Sequence, residues 1–141
     1  MAEVVLRTVG PADASLFARI APDVFDGPVA PERLAAYLAS PEHLMVLAVS
    51  DDVIVGQVAG VVHRHPDLPT ELYIDNLGVT PALRRQGVGR RLVEAVMALG
   101  RERGCSEAWV GTEPDNLPAR ALYRALRPTE EETFAFYLYD L

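Results

Sequence analysis

The sequence predicts an α/β protein in which a mixed, mainly antiparallel sheet carries helices on both faces. β-Branched runs stand on either side of Asp51-Asp52, which is a hairpin signal, and apolar residues recur at helical spacing in four other segments. The predicted order is β-α-α-β-β-β-α-β-α-β, which is not a uniform βαβ alternation. With 141 residues, 50% of them hydrophobic, and no linker or repeat, residues 1–141 are expected to form one domain.

The first half of the chain is predicted to contain four strands and two helices. The strands are "EVVLRTV", "HLMVLAVS", "VIVGQVAGVVH" and "ELYIDNLGV". A short helix follows Gly10-Pro11, and the segment from about Pro31 to Ser40 has the apolar spacing of a second helix. The hairpin therefore lies between the second and third strands.

The second half is predicted to contain two helices and two strands. A helix opens within "VTPALRRQGVGRRLVEAV" and ends near Gly100 to Gly104, where arginines suit the negative end of its dipole. The strand "EAWVGT" follows, then the helix "NLPARALYRAL", for which Asn116 is the expected N-cap. "TFAFYLYD" alternates as a final strand.

Composition limits the possible partners. Cys105 is the single cysteine, which excludes an internal disulfide, and the thirteen cations are all arginines, which excludes lysine chemistry. A net charge of −7 argues against nucleic acid and favours a cationic small molecule, although acidity also serves solubility. The N-terminal stretch lacks a signal-peptide pattern and no apolar run approaches the ~20 residues of a membrane span, so we expect a soluble, cytoplasmic protein without a membrane partner.

The corner between the fourth strand and the next helix is cationic and bare of side chains. A helix N-terminus offers unpaired N–H groups and a positive dipole end, so phosphate is its natural ligand. Gly87 and Gly89 allow close approach of the backbone, and the flanking cations are Arg84, Arg85, Arg90 and Arg91. A Rossmann fingerprint would need a third glycine at Leu92, and a P-loop would need lysine. The alternative is a glycine turn with solvated arginines.

Two spaced motifs carry a resemblance. Arg84-x-x-Gly87-x-Gly89 follows a strand and opens a helix, and Asn116-x-x-Ala119-x-x-Leu122-Tyr123 follows downstream. Together they resemble the GNAT superfamily of acyl-CoA-dependent N-acetyltransferases. Where that family usually continues with Gly-Phe after the tyrosine helix, this chain has Arg127-Pro128.

The resemblance implies a six- to seven-stranded sheet, with about four helices on its faces, that splays apart between the fourth and fifth strands. It implies acetyl-CoA as co-substrate, with pyrophosphate held by backbone N–H groups, and pantetheine lying along the fourth strand. The implied cofactor-binding residues are Leu77, Gly78, Val79, Arg84, Arg85, Gln86, Gly87, Val88, Gly89, Arg90, Asn116 and Tyr123.

Acetyl transfer requires a base, because an amine is protonated at pH 7. Asp75 is the leading candidate, since it lies mid-strand among apolar residues where burial raises a carboxyl pKa; an exposed carboxylate is the alternative. Tyr123 is implied as the acid for the thiolate, and it also fits an ordinary core stripe. His63 and His65 share a strand face without a further ligand cluster, so no metal is expected.

Acidic residues are expected to surround the acceptor: Asp23, Asp26, Asp75, Glu113 and Asp115. The run "ELYIDNLGVTPALRRQGVGRRLVEAV" is similar to type I aminoglycoside 3-N-acetyltransferases, which implies direct transfer to a 3-amino group in a ternary complex, and antibiotic resistance. Those enzymes tend to have Tyr-Asp where this chain has Asp75-Asn76, so a bulge is needed to aim the carboxylate. A polyamine or protein N-terminal acetyltransferase, and a non-catalytic acyl-CoA-binding module, remain alternatives. A homodimer is possible.

Overall fold

The computed structural model describes residues 2–141, which divide after Val110 into two compact units. The first unit contains one five-stranded sheet and two α-helices, and the second contains one α-helix. The strands are β1 (Val5–Thr8), β2 (His43–Ser50), β3 (Val53–His63), β4 (Glu71–Val79) and β5 (Glu107–Val110), and the helices are α1 (Pro31–Ala39), α2 (Val88–Glu102) and α3 (Leu117–Ala125).

The sheet has the strand order β1-β2-β3-β4-β5. The first four strands pair antiparallel, and β5 joins β4 in parallel, so the predicted mixed, mainly antiparallel sheet is confirmed. The predicted hairpin is confirmed too. Asp51 and Asp52 have φ angles of 51° and 61°, the positive pair that a tight two-residue turn between twisted strands requires.

Helices lie on both faces of this sheet, as predicted. On one face α2 buries Leu92, Val93 and Val96. It approaches closely because β3 carries glycine there: a Cβ on Gly56 would lie 3.2 Å from the side chain of Leu92, and one on Gly60 would lie 3.3 Å from that of Val96. The other face holds a core cluster against which side chains of α1 pack, consisting of Phe17, Val24, Met45, Leu47, Ile54 and Ala59.

The end of α2 follows the sequence prediction. Gly104 has φ 87°, the N–H of Cys105 donates to the carbonyl of Gly100 at 2.9 Å, and the N–H of Gly104 donates to the carbonyl of Arg101 at 3.0 Å. These two bonds form a Schellman motif, which satisfies carbonyls that the helix end leaves free. The helix therefore stops where the glycine permits a left-handed residue.

Two predicted elements differ in the structure. The first predicted helix is a short 3-10 helix, Ala14–Ala18; the carboxylate of Asp13 before it accepts the N–H of Gly10 at 2.7 Å and does not cap the helix. The predicted final strand is wrong: no helix or strand is formed by residues 127–141. The described sheet therefore has five strands and not six or seven, and there are three α-helices besides 3-10 turns.

The second unit is organised around α3. The side chain of Asn116 accepts the N–H of Ala119 at 3.2 Å, which confirms the predicted N-cap. The guanidinium of Arg124 binds Glu131 through two hydrogen bonds of 2.8 and 2.7 Å, and this pairing lowers the pKa of Glu131 to about 2. This ion pair ties the segment after α3 to the helix.

No helix within residues 2–141 is both long enough and apolar enough to cross a membrane.

Candidate active site

Two buried side chains anchor the corner between β4 and α2. Leu83 and Val88 are 7% and 4% exposed, whereas residues 84–87 between them are exposed. Arg85 and Gly87 both have positive φ angles, 64° and 81°, so the backbone turns sharply before the helix begins. The buried anchors fix a loop whose backbone remains open to solvent.

This loop and the first turn of α2, residues 84–90, form what we call the cradle. The N–H groups of Val88, Gly89 and Arg90 have no helical acceptor, and no side chain caps them. Among the described residues the N–H groups of residues 85–87 are also without an acceptor. Nothing lies within 4 Å of the position that a Cβ on Gly87 would occupy. The cradle therefore fits an anion held by converging backbone donors, which the sequence predicted.

The arginine side chains around the cradle differ in their bonding partners. Arg84 donates through Nε to the carbonyl of Val79 at 3.2 Å, and Arg90 pairs with Glu94 at 3.3 Å. Both Nη atoms of Arg91 reach the carbonyl of Val4 at 3.3 Å, which ties α2 to the N-terminal segment. Arg85 makes no hydrogen bond or ion pair through its side chain to residues 2–141, so it is the guanidinium most available to a phosphate.

Along one edge, β4 has a strand partner only over Glu71–Ile74, because β5 ends at Val110. Beyond Ile74 no strand among the described residues pairs with this edge, which we call the open edge; this agrees with the predicted separation of the fourth and fifth strands. On the other edge, the N–H of Thr80 donates to the carbonyl of Val55 at 2.9 Å. Hydrogen bonds of antiparallel strands alternate, so the N–H groups of Leu77 and Val79 point away from β3, toward the open edge.

Asp75 is the extra residue of a β-bulge. Ala59 of β3 pairs with Asn76 and Gly60 pairs with Ile74, which leaves Asp75 without an opposite residue. A bulge at this position is the feature that the sequence analysis named as able to re-aim the carboxylate.

The Asp75 carboxyl lies near α1. Although the residue as a whole is exposed, partial desolvation raises the pKa of its carboxyl, while its own backbone N–H and the nearby His43 lower it by smaller amounts. Burial and the charge of Asp75 raise the pKa of Tyr37, whose ring lies 4.8 Å from that of His43. A carboxylate with a raised pKa is a stronger base, so this site suits proton removal.

A polar chain that the sequence did not reveal connects β3 and β4 to loop 20–29. The amide of Gln57, fully buried in β3, donates to the carbonyl of Val24 at 3.1 Å and to the side chain of Asn76. Asn76 in turn donates to the carboxylate of Asp26 at 3.1 Å. The one sequence signal for this polar chain is a glutamine, Gln57, inside an otherwise apolar strand. Its partners could not be identified from the sequence because the bonded residues lie 19 to 50 positions apart.

Gly78 explains why loop 20–29 lies directly on β4. A Cβ at this position would fall 2.1 Å from the carbonyl oxygen of Val24, so only glycine permits the contact. The loop contains an open pocket of about 230 Å³ lined by Asp23 and apolar residues. The structure therefore brings two predicted acceptor residues, Asp23 and Asp26, beside the strand that carries Asp75.

The remaining predicted site residues belong to the second unit. Glu113 and Asp115 form the turn before α3, where their carbonyls accept the N–H groups of Asn116 and Leu117 at 3.0 and 2.9 Å. Tyr123 lies on α3, and burial raises the pKa of its hydroxyl. It keeps its proton at neutral pH, as a general acid must.

Comparison with known sequences agrees with this geometry. The model of the acetyltransferase (GNAT) family matches residues 15–126. The chain is 31% identical over 141 residues to an aminoglycoside N(6')-acetyltransferase type 1 of Stenotrophomonas maltophilia, covering 94% of this chain and 90% of that protein. It is 31% identical over 125 residues to N-alpha-acetyltransferase RimI of Mycobacterium tuberculosis, covering 87% and 77%.

Solved structures show the same fold. An aminoglycoside acetyltransferase from an uncultured soil metagenomic sample, in complex with sisomicin, superposes with a TM-score of 0.84 at 22% identity, covering 98% of this chain and 96% of that one. AAC(6')-Iy in complex with the bisubstrate analog CoA-S-monomethyl-acetylneamine has a TM-score of 0.78 at 22% identity, with 99% of each chain covered. At 22% identity, this structural likeness shows the fold alone.

Proposed function

This chain belongs to the acetyltransferase (GNAT) family, and we propose that it acetylates the 6'-amino group of an aminoglycoside, with acetyl-CoA as donor. The observation that carries the proposal is the continuity of the cradle with the open edge of β4: anion-binding N–H groups lead directly to unpaired strand N–H groups. The named relatives support 6' over the 3-amino position that the sequence comparison predicted.

In this proposal the cradle binds the CoA pyrophosphate through the N–H groups of residues 85–90, with Arg85 adding charge. The pantetheine arm pairs with β4 through Leu77 and Val79. The N–H of Leu77 donates to the thioester carbonyl and stabilises the negative charge that develops there, a contribution of about 3 kcal/mol for one well-placed donor.

Asp75 takes a proton from the acceptor ammonium, directly or through a water. The freed amine attacks the thioester carbon, and the nitrogen of the tetrahedral intermediate loses a second proton to solvent. The intermediate then collapses with cleavage of the C–S bond, and Asp75 releases the proton it took to solvent. Tyr123 donates its proton to the departing CoA thiolate and is reprotonated by solvent. No acyl-enzyme forms, so Cys105 has no part in the transfer.

Charge favours a polycationic acceptor. The chain has a net charge of −7, and Asp23 and Asp26 lie on the loop that packs against β4. Several carboxylates acting together capture a polycation faster and hold it more tightly than one exposed pair, which contributes ~0–1 kcal/mol. Capture must therefore weaken as salt is added. We propose that Glu113 and Asp115 also bind the cationic acceptor.

A thiol-release assay tests the function. Purified protein is offered acetyl-CoA with two aminoglycosides that differ only in an amine or a hydroxyl at 6', and the product is located by tandem mass spectrometry. We expect thiol release with the 6'-amine alone. Equal release with both compounds contradicts 6' acetylation, and binding of acetyl-CoA without release of thiol from any amine identifies a non-catalytic acyl-CoA-binding module.

Peptide N-terminal acetylation is the second candidate, because identity to RimI equals that to the Stenotrophomonas relative. Peptides with a free α-amine and spermidine therefore belong in the same assay. Release with peptides but not with aminoglycosides would leave the family assignment intact and replace the acceptor.

We also propose that the protein is a homodimer, with residues 133–140 covered by a second copy. Phe136, Tyr137, Leu138 and Tyr139 are 75–79% exposed, and consecutive exposed side chains of this kind are typical of a surface that a partner covers. Sedimentation velocity should give a dimer for the wild type and a monomer for Phe136→Asp combined with Leu138→Asp. A monomeric wild type at all concentrations contradicts this proposal.

A further inference from the structure

Three side chains with metal-ligating atoms meet where β3 ends and β4 begins. His63, His65 and Glu71 each offer one such atom, and these atoms all lie within 4.8 Å of one another. The Nδ1 of His63 is 3.4 Å from a carboxylate oxygen of Glu71, and the Nε2 of His65 is 3.3 Å from the same oxygen.

The fold itself creates this cluster. His63 and Glu71 are opposite residues in the antiparallel β3–β4 pair, so their side chains share one face. Between them runs the connection "RHPDLPT", whose two prolines restrict its path. His65 in this connection folds back until its ring centroid lies 4.1 Å from that of His63.

The contacts are not aligned as hydrogen bonds. The Nε2 of His65 is buried and has no hydrogen-bond partner among residues 2–141, although the Glu71 oxygen is near. A buried polar nitrogen without a partner is costly, and it calls for a ligand that accepts its lone pair. A cation placed between the three side chains would satisfy it.

The distances fit zinc. Zinc binds imidazole nitrogen and carboxylate oxygen at about 2.0–2.2 Å, so neighbouring ligand atoms of a tetrahedral site are about 3.3 Å apart. The two nitrogen-to-oxygen distances here, 3.4 and 3.3 Å, are close to that separation between neighbouring ligand atoms. Two imidazoles with one carboxylate also suit zinc in chemical type, and disfavour magnesium or calcium, which prefer oxygen ligands.

We propose that His63 Nδ1, His65 Nε2 and the Glu71 carboxylate bind one zinc ion, with water as the fourth ligand. The sequence predicted no metal because two histidines alone are too few; Glu71 supplies the third ligand across the strand pair. The site lies eight residues, about 26 Å, along β4 from Val79 at the cradle, so the ion clamps the β3–β4 connection and takes no part in acetyl transfer.

Calorimetric titration tests the proposal. Full-length protein stripped with a chelator is titrated with zinc chloride, and thermal unfolding is followed with and without the ion. We expect one zinc per chain, a zinc-dependent rise in Tm, and no heat with magnesium chloride. Wild-type protein without saturable zinc binding overturns the proposal and leaves an ordinary pair of histidines beside a glutamate.

Substitution of the proposed ligands tests which side chains bind the zinc ion. His65→Asn and Glu71→Gln should each weaken zinc binding at least roughly 10-fold. His43→Asn is the matched control, since His43 is the third histidine of the chain and lies outside the cluster. Its zinc affinity should stay within about twofold of the wild type. Equal loss in His43→Asn, or unchanged affinity in a folded His65→Asn, contradicts the assignment. Circular dichroism of each zinc-free variant establishes that it is folded.

Discussion

Replacing Gly78 by alanine is the sharpest test of how loop 20–29 is placed. The new Cβ would stand 2.1 Å from the carbonyl oxygen of Val24, where ordinary contact begins near 3.4 Å, so the loop must retreat by more than 1 Å. Overpacking of this kind costs about 1–3 kcal/mol. The retreat also stretches the bond from Gln57 to Val24, a further loss of about 1 kcal/mol. We therefore expect Gly78→Ala to lower the free energy of unfolding by about 2–4 kcal/mol.

Thermal unfolding and steady-state kinetics measure the effect. For a chain of this length the loss corresponds to a fall in Tm of roughly 5–15 °C. Because Asp26 moves with the loop, the KM for the acceptor amine should rise more than the Kd for acetyl-CoA. Gly27→Ala is the matched control in the same loop: nothing lies within 4 Å of its added Cβ, so its Tm should stay near that of the wild type. A Gly78→Ala protein with wild-type Tm and acceptor KM refutes the reasoning.

Three further predictions concern the proposed chemistry. Gly87→Glu should weaken acetyl-CoA binding roughly 10–100-fold in calorimetry, whereas Gly104→Glu, equally strained with φ 87° and equally uncrowded, should retain it; equal loss in both argues against the cradle. Tyr123→Phe should lower turnover about 100-fold with Tm and acetyl-CoA affinity nearly intact, and full turnover would restrict Tyr123 to packing. Asp75→Asn should reduce turnover more at neutral than at high pH, where the amine loses its proton to solvent; a pH-independent loss argues against a base.

The pKa of Asp75 also predicts a stability effect for this same variant. Burial raises the folded-state pKa above the ordinary aspartate value, so the carboxyl costs stability as the pH rises from the unfolded-state pKa, and the full cost is present above the raised folded-state pKa. Asp75→Asn should therefore raise Tm at pH 7 to 8 and lose this gain below about pH 3, where the carboxyl is protonated in both states. A gain that is largest at low pH contradicts the sign.

Local signals explain which parts of the fold the sequence predicted. The Asp51-Asp52 turn, the Asn116 cap and the Gly104 helix end each depend on residues within five positions of one another, and all three are present. The cradle was predictable for the same reason, since two glycines and a helix start suffice to expose its N–H groups.

Non-local partners explain what the sequence could not predict. Residues 133–140 alternate like a strand, but a strand needs a neighbouring edge, and alternation does not supply one. Asn76 and Asp26 meet across 50 residues, and Glu71 joins two histidines through strand register. The raised pKa of Asp75 was predicted from its apolar neighbours, yet His43 and Tyr37, which come from other elements, were not.

The bulge reverses the direction of the β4 backbone groups. Before it, the carbonyl of Thr70 accepts the N–H of Ser106 at 2.9 Å, so even-numbered positions of β4 face β5. After it, the N–H of Thr80 donates to Val55 of β3 at 2.9 Å, so even-numbered positions face β3. One inserted residue, Asp75, accounts for the change.

Three requirements of the proposed transfer therefore depend on this single residue. The insertion places the carboxylate of Asp75 near α1. It directs the N–H groups of Leu77 and Val79 toward the open edge. In a strand without the bulge, the N–H groups of even-numbered residues would face that edge instead. It also follows Ile74, the last residue of β4 that pairs with β5, so the edge becomes free where the donors begin to face it. Base, thioester donor and room for the pantetheine arm are thus coupled, and a substitution that removes the bulge would disturb all three together.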